Sequence, residues 1–205
     1  MTVLEQRDVW KQIHPTWDEK VIGMRAVMNH IVEHCGDIGG TIWLDVGCHT
    51  GYFSFQLANR GASVTGIDIH KPNIDTANTI KRNFNLTNPT FIHTDVKLFS
   101  GYLRGVVDGI LLLNVFHHMI ARYGEDLAWK ILNSLLAYST FIFFMVRPYW
   151  NRGKDFVVDV AGKGSKTTWK DVENVILERS DATWIEDLGL IPNWKYRHLF
   201  VFGRA

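Results

Sequence analysis

Cysteine is scarce: Cys35 and Cys48 are the only two in 205 residues. Two are too few for a disulfide framework and their spacing suits no zinc site, so we expect a reducing, cytoplasmic setting and no metal. Surplus charge is missing as well, since 22 Lys and Arg against 21 Asp and Glu leave a formal +1. That excludes the global basic field that accompanies non-specific binding to nucleic acid or to an anionic membrane. No apolar run approaches the roughly 18 residues of a membrane span. The longest, Phe141 to Val146, reads as a strand. Met1 to Gln12 carries Glu5, Arg7, Asp8 and Lys11 where a signal peptide would have an apolar core. Repeats and low-complexity stretches are absent too.

What is present is an ordinary globular composition, 46% hydrophobic and 21% charged, at a length that fits one α/β domain with a sizeable core. Short apolar runs alternate with helical stretches, which implies βαβ units and a mostly parallel sheet. The strands are read as Thr41 to Gly47, Ser63 to Asp68, Thr90 to Asp95, Val107 to Val115 and Ser139 to Val146. Ala182 to Leu188 and Arg197 to Phe202 follow, joined by a short connection with Gly189, Pro192 and Asn193, and they read as an antiparallel pair. Helices are expected over Tyr52 to Asn59, Pro72 to Asn85, Gly124 to Leu136 and Thr168 to Arg179, with a short turn near Lys97 to Leu103. Pro72 suits a first helical turn.

The loop leaving the first strand reads Asp45-Val46-Gly47-Cys48-His49-Thr50-Gly51. Its two glycines permit tight backbone geometry and close approach of a ligand to the main chain. A carboxylate before such a loop would oppose a pyrophosphate, so Asp45 argues against a nicotinamide dinucleotide. It suits a ligand with an ammonium group instead. The second strand ends at Asp68, about 20 residues on, where a carboxylate can accept from both ribose hydroxyls. Asp95, at the third strand end, is placed to accept from an adenine amino group, with Val96 packing on the ring. Asn114-Val115-Phe116, at the fourth, would line the amino-acid and sulfonium end of the same ligand. Taken singly, the glycines are also an ordinary strand-to-helix turn, and either aspartate a helix cap. Arriving in order at the carboxyl ends of consecutive parallel strands, they describe one ligand site.

Through Leu44 to Ser54, Gly66-Ile67-Asp68-Ile69 and Asp95, the chain resembles the class I S-adenosylmethionine-dependent methyltransferases. The resemblance implies a three-layer Rossmann-like fold, a seven-stranded mostly parallel sheet closed by an antiparallel hairpin, and S-adenosyl-L-methionine as cofactor. Asp45, Gly47, Cys48, Gly51, Asp68, Ile69, Asp95, Val96, Asn114 and Val115 would hold it. His49 stands where the family often has a third glycine. A narrower similarity, through Asn114 to Ile120 followed by Tyr123-Gly124, is to the methyltransferase part of bacterial O-antigen chain-terminating methyltransferase-kinases. The RNA 5′-phosphate methyltransferases are a more distant comparison. A single domain is expected: residues 1–40 as a helical extension or lid, 41–146 as the cofactor-binding core, and 147–205 as a substrate-side loop, helix and closing strands.

Transfer of methyl from a sulfonium needs positioning above all. For a hydroxyl or amine acceptor, His117 or His118 is the natural base; for a phosphate they would bind and orient it. Capping or packing is the alternative for either, and no third ligand near them suggests a metal. Arg147, at the rim in Arg147-Pro148-Tyr149-Trp150, with Arg152 and Lys154, suits a phosphate or carboxylate, or is a solvated loop. Tyr52 and Trp150 are substrate-side aromatics, though Tyr52 and Phe53 also fit the core. Trp43 and Trp129 read as core; Trp10 and Trp17, with His14 and Pro15, read as a lid. The leading expectation is an enzyme that methylates a small-molecule, glycan or phosphate acceptor. An RNA methyltransferase and a non-catalytic methyltransferase-like subunit are the competing readings, and oligomeric state is not legible.

Overall fold

The computed structural model describes residues 17–100, 105–146, 169–194 and 197–205. These fall into two compact units, residues 17–94 with 191–194 and residues 95–190 with 197–205.

The first unit begins with helix α1 (Trp17–Cys35). Met24, Val27, Met28 and Ile31, at the i, i+3, i+4, i+7 spacing of one helical face, are buried. Strand β1 (Ile42–Val46) follows, then α2 (Tyr52–Ala58), β2 (Ser63–Asp68), α3 (Lys71–Asn83) and β3 (Thr90–His93). The three strands pair in parallel in the order β3-β2-β1, with Val46 opposite Ile67 and Asp68 opposite His93. Trp43, Leu44, Asp45 and Val46 are all buried, as expected of a parallel strand covered on both faces. Pro72 sits in the first turn of α3, and Ile74, Ala77 and Ile80 form its buried face.

The second unit carries α4 (Val96–Ser100), β4 (Val107–Leu113), α5 (Phe116–Tyr123), α6 (Glu125–Leu136), β5 (Ser139–Val146), α7 (Trp169–Arg179), β6 (Trp184–Leu190) and β7 (His198–Gly203). Strands β4 and β5 are parallel; β7 runs antiparallel to β5, and β6 antiparallel to β7. Phe116 links this unit's core, with ring centroids 4.9 Å from Trp129 and 5.5 Å from Phe144. Ile142 to Val146 and every residue of β7 are buried, which makes them central strands. The fold is therefore α/β, with a seven-stranded, mostly parallel sheet that ends in an antiparallel hairpin.

Several element ends differ from the sequence reading by one or two residues, β6 among them, which runs on to Leu190 and takes in Gly189, expected in the connection; three differences bear on the site. Strand β3 stops at His93, so Asp95 lies beyond it, immediately before α4. Strand β4 stops at Leu113 because Asn114 turns into the left-handed region at φ 60°. Most important, Phe116 to Tyr123 is a helix, which the sequence reading left unassigned. Its apolar positions, Phe116 and Met119, continue the run Ile110 to Leu113 almost without a break, which hides the change of period. Gly124, at φ 80°, separates α5 from α6. Among the described residues no helix is long and apolar enough to cross a membrane.

Candidate cofactor and acceptor site

In the first unit the loop after β1 folds on the carbonyl of Ile67, which accepts from the N–H groups of Gly47 (2.8 Å) and Cys48 (3.0 Å). Three of its five residues are left-handed: Gly47 (φ 69°), His49 (φ 52°) and Gly51 (φ 89°). A glycine is natural at each. His49 bears the strain because its N–H donates to Asp68 Oδ2 at 2.9 Å and its Nδ1 lies 3.2 Å from Thr50 Oγ1. Gly51 is required twice over, since a Cβ there would stand 2.5 Å from the Phe91 ring.

Asp45 is 3% exposed. Its Oδ2 accepts from Ser54 Oγ at 2.6 Å, and burial pushes its carboxyl up to about 6 against the downward pull of Ser54. A positive group beside it would restore the charged form. Asp68, at the end of β2, accepts at Oδ1 from the His70 N–H (2.7 Å) and at Oδ2 from His49, with Asn73 Nδ2 at 3.4 Å. Two carboxylate oxygens offer about four acceptor sites, so capacity remains for a ligand. Ile69 next to it is exposed. Cys48 turns its side chain into a core of Met24, Phe55 and Phe91, and burial raises its thiol so far that it stays protonated. Its thiol also lies 3.7 Å from the His49 carbonyl, which accepts from it. Tyr52 is half-buried on the same core, edge-on to Phe53 at 5.2 Å, and Trp194 packs on that core as well.

In the second unit Asp95 caps α4, its Oδ1 accepting from the Lys97 N–H at 2.8 Å and from Tyr123 Oη at 2.5 Å. Arg122 Nε lies 3.5 Å from its Oδ2. Val96 is buried. Asn114 donates its N–H to Met145 at 2.9 Å, while its Oδ1 is buried with no hydrogen-bond partner. Val115 then caps α5, its carbonyl accepting from the N–H groups of His118 and Met119. His117 and His118 stand in the first turn, with ring centroids 4.1 Å apart and planes 43° apart. They lie on a helix, so their side chains diverge by a helical step yet stay adjacent. Arg147, Trp150, Arg152, Lys154 and Trp10 fall outside the described residues, as does the side chain of Trp17. Trp43 and Trp129 are core, as read.

Sequence reasoning missed Ser54, Asn73, Tyr123 and Trp194. Ser54 lies within the loop motif and nine residues after Asp45, a spacing that a strand, loop and helix turn make meaningful only once folded. Tyr123 entered the sequence reading only through the Tyr123-Gly124 resemblance, which gave it no role, and Trp194 carries no local signal.

Residues 44–135 match the methyltransferase domain family. The O-antigen chain terminator bifunctional methyltransferase/kinase WbdD of Escherichia coli is 27% identical over 146 residues, covering 65% of this chain and 20% of that protein. The ubiquinone biosynthesis O-methyltransferase of Rickettsia felis is 33% identical over 112 residues, covering 55% of this chain and 43% of the relative. The chain thus spans a fifth to under half of the length of these relatives. Among solved structures, WbdD superposes with a TM-score of 0.68 at 19% identity, over 93% of this chain and 42% of that one. Magnesium protoporphyrin IX methyltransferase from Synechocystis, with bound S-adenosylmethionine, gives 0.65 at 18% identity, over 97% and 90%. At those identities the structures speak for the fold. The comparisons thus give residues 44–135 as a methyltransferase domain, methyltransferases among the chain's relatives, and a fold shared with methyltransferases of known structure.

Proposed function

We propose that the protein methylates a small or terminal acceptor: a sugar, a phosphate or a phosphorylated metabolite. The residues fit the cofactor. Asp45 is a buried carboxylate in want of a positive partner, Asp68 has acceptor capacity left, and Asn114 Oδ1 is buried without a donor. In this reading Asp68 accepts from the ribose hydroxyls and Asp95 from the adenine amino group, with Ile69 and Val96 against the ring. Asn114 and Val115 take the amino-acid end, Asp45 balances its ammonium group, and Gly47, Cys48 and Gly51 offer main chain for close approach. When bound, the cofactor supplies a methyl carbon on a sulfonium and leaves as a thioether.

The observation that carries the acceptor side is the His117–His118 pair, which opens α5 directly after the Asn114 turn. With a hydroxyl acceptor, one imidazole nitrogen takes the hydroxyl proton as the oxygen bonds to the methyl carbon. With a phosphate acceptor, whose oxygen is already anionic, the pair binds and orients it. Tyr52, Arg147 and Trp150 are the proposed acceptor contacts. The relative named for terminating O-antigen chains supports a terminal acceptor. Incubating the protein and labelled cofactor with fractionated metabolites, glycans and RNA should place label in the phosphorylated or glycan fractions. Label in RNA alone would overturn the proposal. His117→Ala or His118→Ala should lower kcat about a hundredfold or more on a hydroxyl acceptor, with cofactor affinity unchanged.

A further inference from the structure

Asp95 is the only one of the proposed cofactor carboxylates whose second oxygen is left to a solvent-facing group. Its Oδ1 is doubly committed, to the Lys97 N–H at 2.8 Å and to Tyr123 Oη at 2.5 Å. A carboxylate oxygen has two lone pairs, so Oδ1 is saturated. Oδ2 faces Arg122 Nε at 3.5 Å, but the Arg122 side chain is 58% exposed against 19% for Asp95. An ion pair that open to water is weak and screened by salt. The rigid partner is therefore the phenol and not the guanidinium, which lies 5.7 Å from the centroid of the Tyr123 ring.

We infer that Tyr123 is a specificity-determining positioning residue, which pins one oxygen of Asp95 so that the other is presented as the acceptor for the cofactor's 6-amino group. The inference rests on the proposed adenine role of Asp95 and goes beyond it. A carboxylate held only at its cap could turn about its terminal bond and offer either oxygen, or a bridging water, to the ligand. With Oδ1 fixed by the phenol, an adenine N–H meets a charged acceptor in a set direction. A purine with a carbonyl at position 6 meets lone pairs with lone pairs instead. Rejection of such an analogue is strong only where the site's polar group is fixed and left unpaired by it. The phenol keeps its proton: burial first, and then its bond to Asp95, push it up to about 12. It is a permanent donor across the working range.

The test compares S-adenosylhomocysteine with S-inosylhomocysteine by calorimetry on the whole chain. Wild type should favour the adenosyl ligand about 10- to 100-fold. Tyr123→Phe keeps the ring and removes only the hydroxyl; it should cut that ratio at least about threefold, chiefly by weakening the adenosyl ligand. Asp95→Asn should bring the ratio close to one. If Tyr123→Phe keeps the wild-type ratio while Asp95→Asn loses it, the inference about Tyr123 is overturned and the adenine role of Asp95 stands. Equal weakening of both ligands by Tyr123→Phe would reduce Tyr123 to a structural strut and overturn it as well. A wild-type ratio in Asp95→Asn removes the adenine reading itself.

Discussion

At the scale of the residue, Asp45 makes the protein's clearest pH-dependent statement. An unfolded Asp45 gives up its proton near 3.8, whereas the folded one holds it to about 6. Between those values the folded chain binds a proton that the unfolded chain has lost. The stabilising contribution is therefore complete below about pH 3.8 and disappears as pH rises through about 6, a loss of roughly 3 kcal/mol by pH 7. Ligand-free Asp45→Asn should accordingly show a flatter fall in unfolding midpoint between pH 5 and 7 than wild type. Affinity for S-adenosylmethionine should move the other way, rising over the same interval as the carboxylate forms to meet the ammonium group. A flat titration of affinity would remove Asp45 as that counter-charge. Asp68 should tell a different story: Asp68→Ala deletes ribose acceptors and also frees the amides of His49 and His70. A loss of about a hundredfold in cofactor affinity is expected by calorimetry. The carboxylates themselves were legible in the sequence because each lies at or just next to the end of an apolar strand, Asp68 closing β2, Asp45 one residue before the end of β1 and Asp95 two residues past β3. Their partners were not, since Ser54 and Asn73 meet Asp45 and Asp68 only once strand, loop and helix have turned back on each other, and Tyr123 reaches Asp95 across 28 residues.

Elements show where pattern reading succeeds and where it stops. Strand β5 is recognisable as an unbroken apolar run because a parallel strand covered on both faces has no polar side to alternate. Helix α5 escaped because its first buried residue, Phe116, follows β4 after only Asn114 and Val115. What separates strand from helix there is a single left-handed Asn114 and not a stretch of loop chemistry. The core joint it forms is substantial: Phe116→Ala would empty the space between Trp129 and Phe144 and should cost about 3–5 kcal/mol in urea unfolding. Because α5 also opens with His117 and His118, the same variant should lose turnover beyond its loss of stability. Gly51→Ala belongs to this scale too, since it combines a φ of 89° with a clash against Phe91. It should destabilise the strand-loop-helix unit by several kcal/mol, and a midpoint within about 1 °C of wild type would show that the loop can relax.

For the whole molecule, near-neutral charge was the most informative thing the composition contained. A small or terminal acceptor brings few phosphates, so KM for it should change only a few-fold between 50 and 200 mM salt. An RNA acceptor would lose affinity by orders of magnitude over that interval. The cofactor could be read from the chain because the glycine loop and Asp68 form a local, ordered pattern. The acceptor side could not, because Tyr52 reads equally as core and Arg147 and Trp150 lie in stretches with no period. One contact joins distant parts of the sequence. Trp194, in the connection before β7, lies against α1 so closely that a Cβ on Gly23 would be 2.7 Å from its indole. Between those two residues runs nearly the whole sheet, so the loop that this contact closes is among the largest in the fold, and its entropy is recovered last. Helix α1 therefore completes its packing late in folding, and the amides around Gly23 should exchange with solvent well before those of β5.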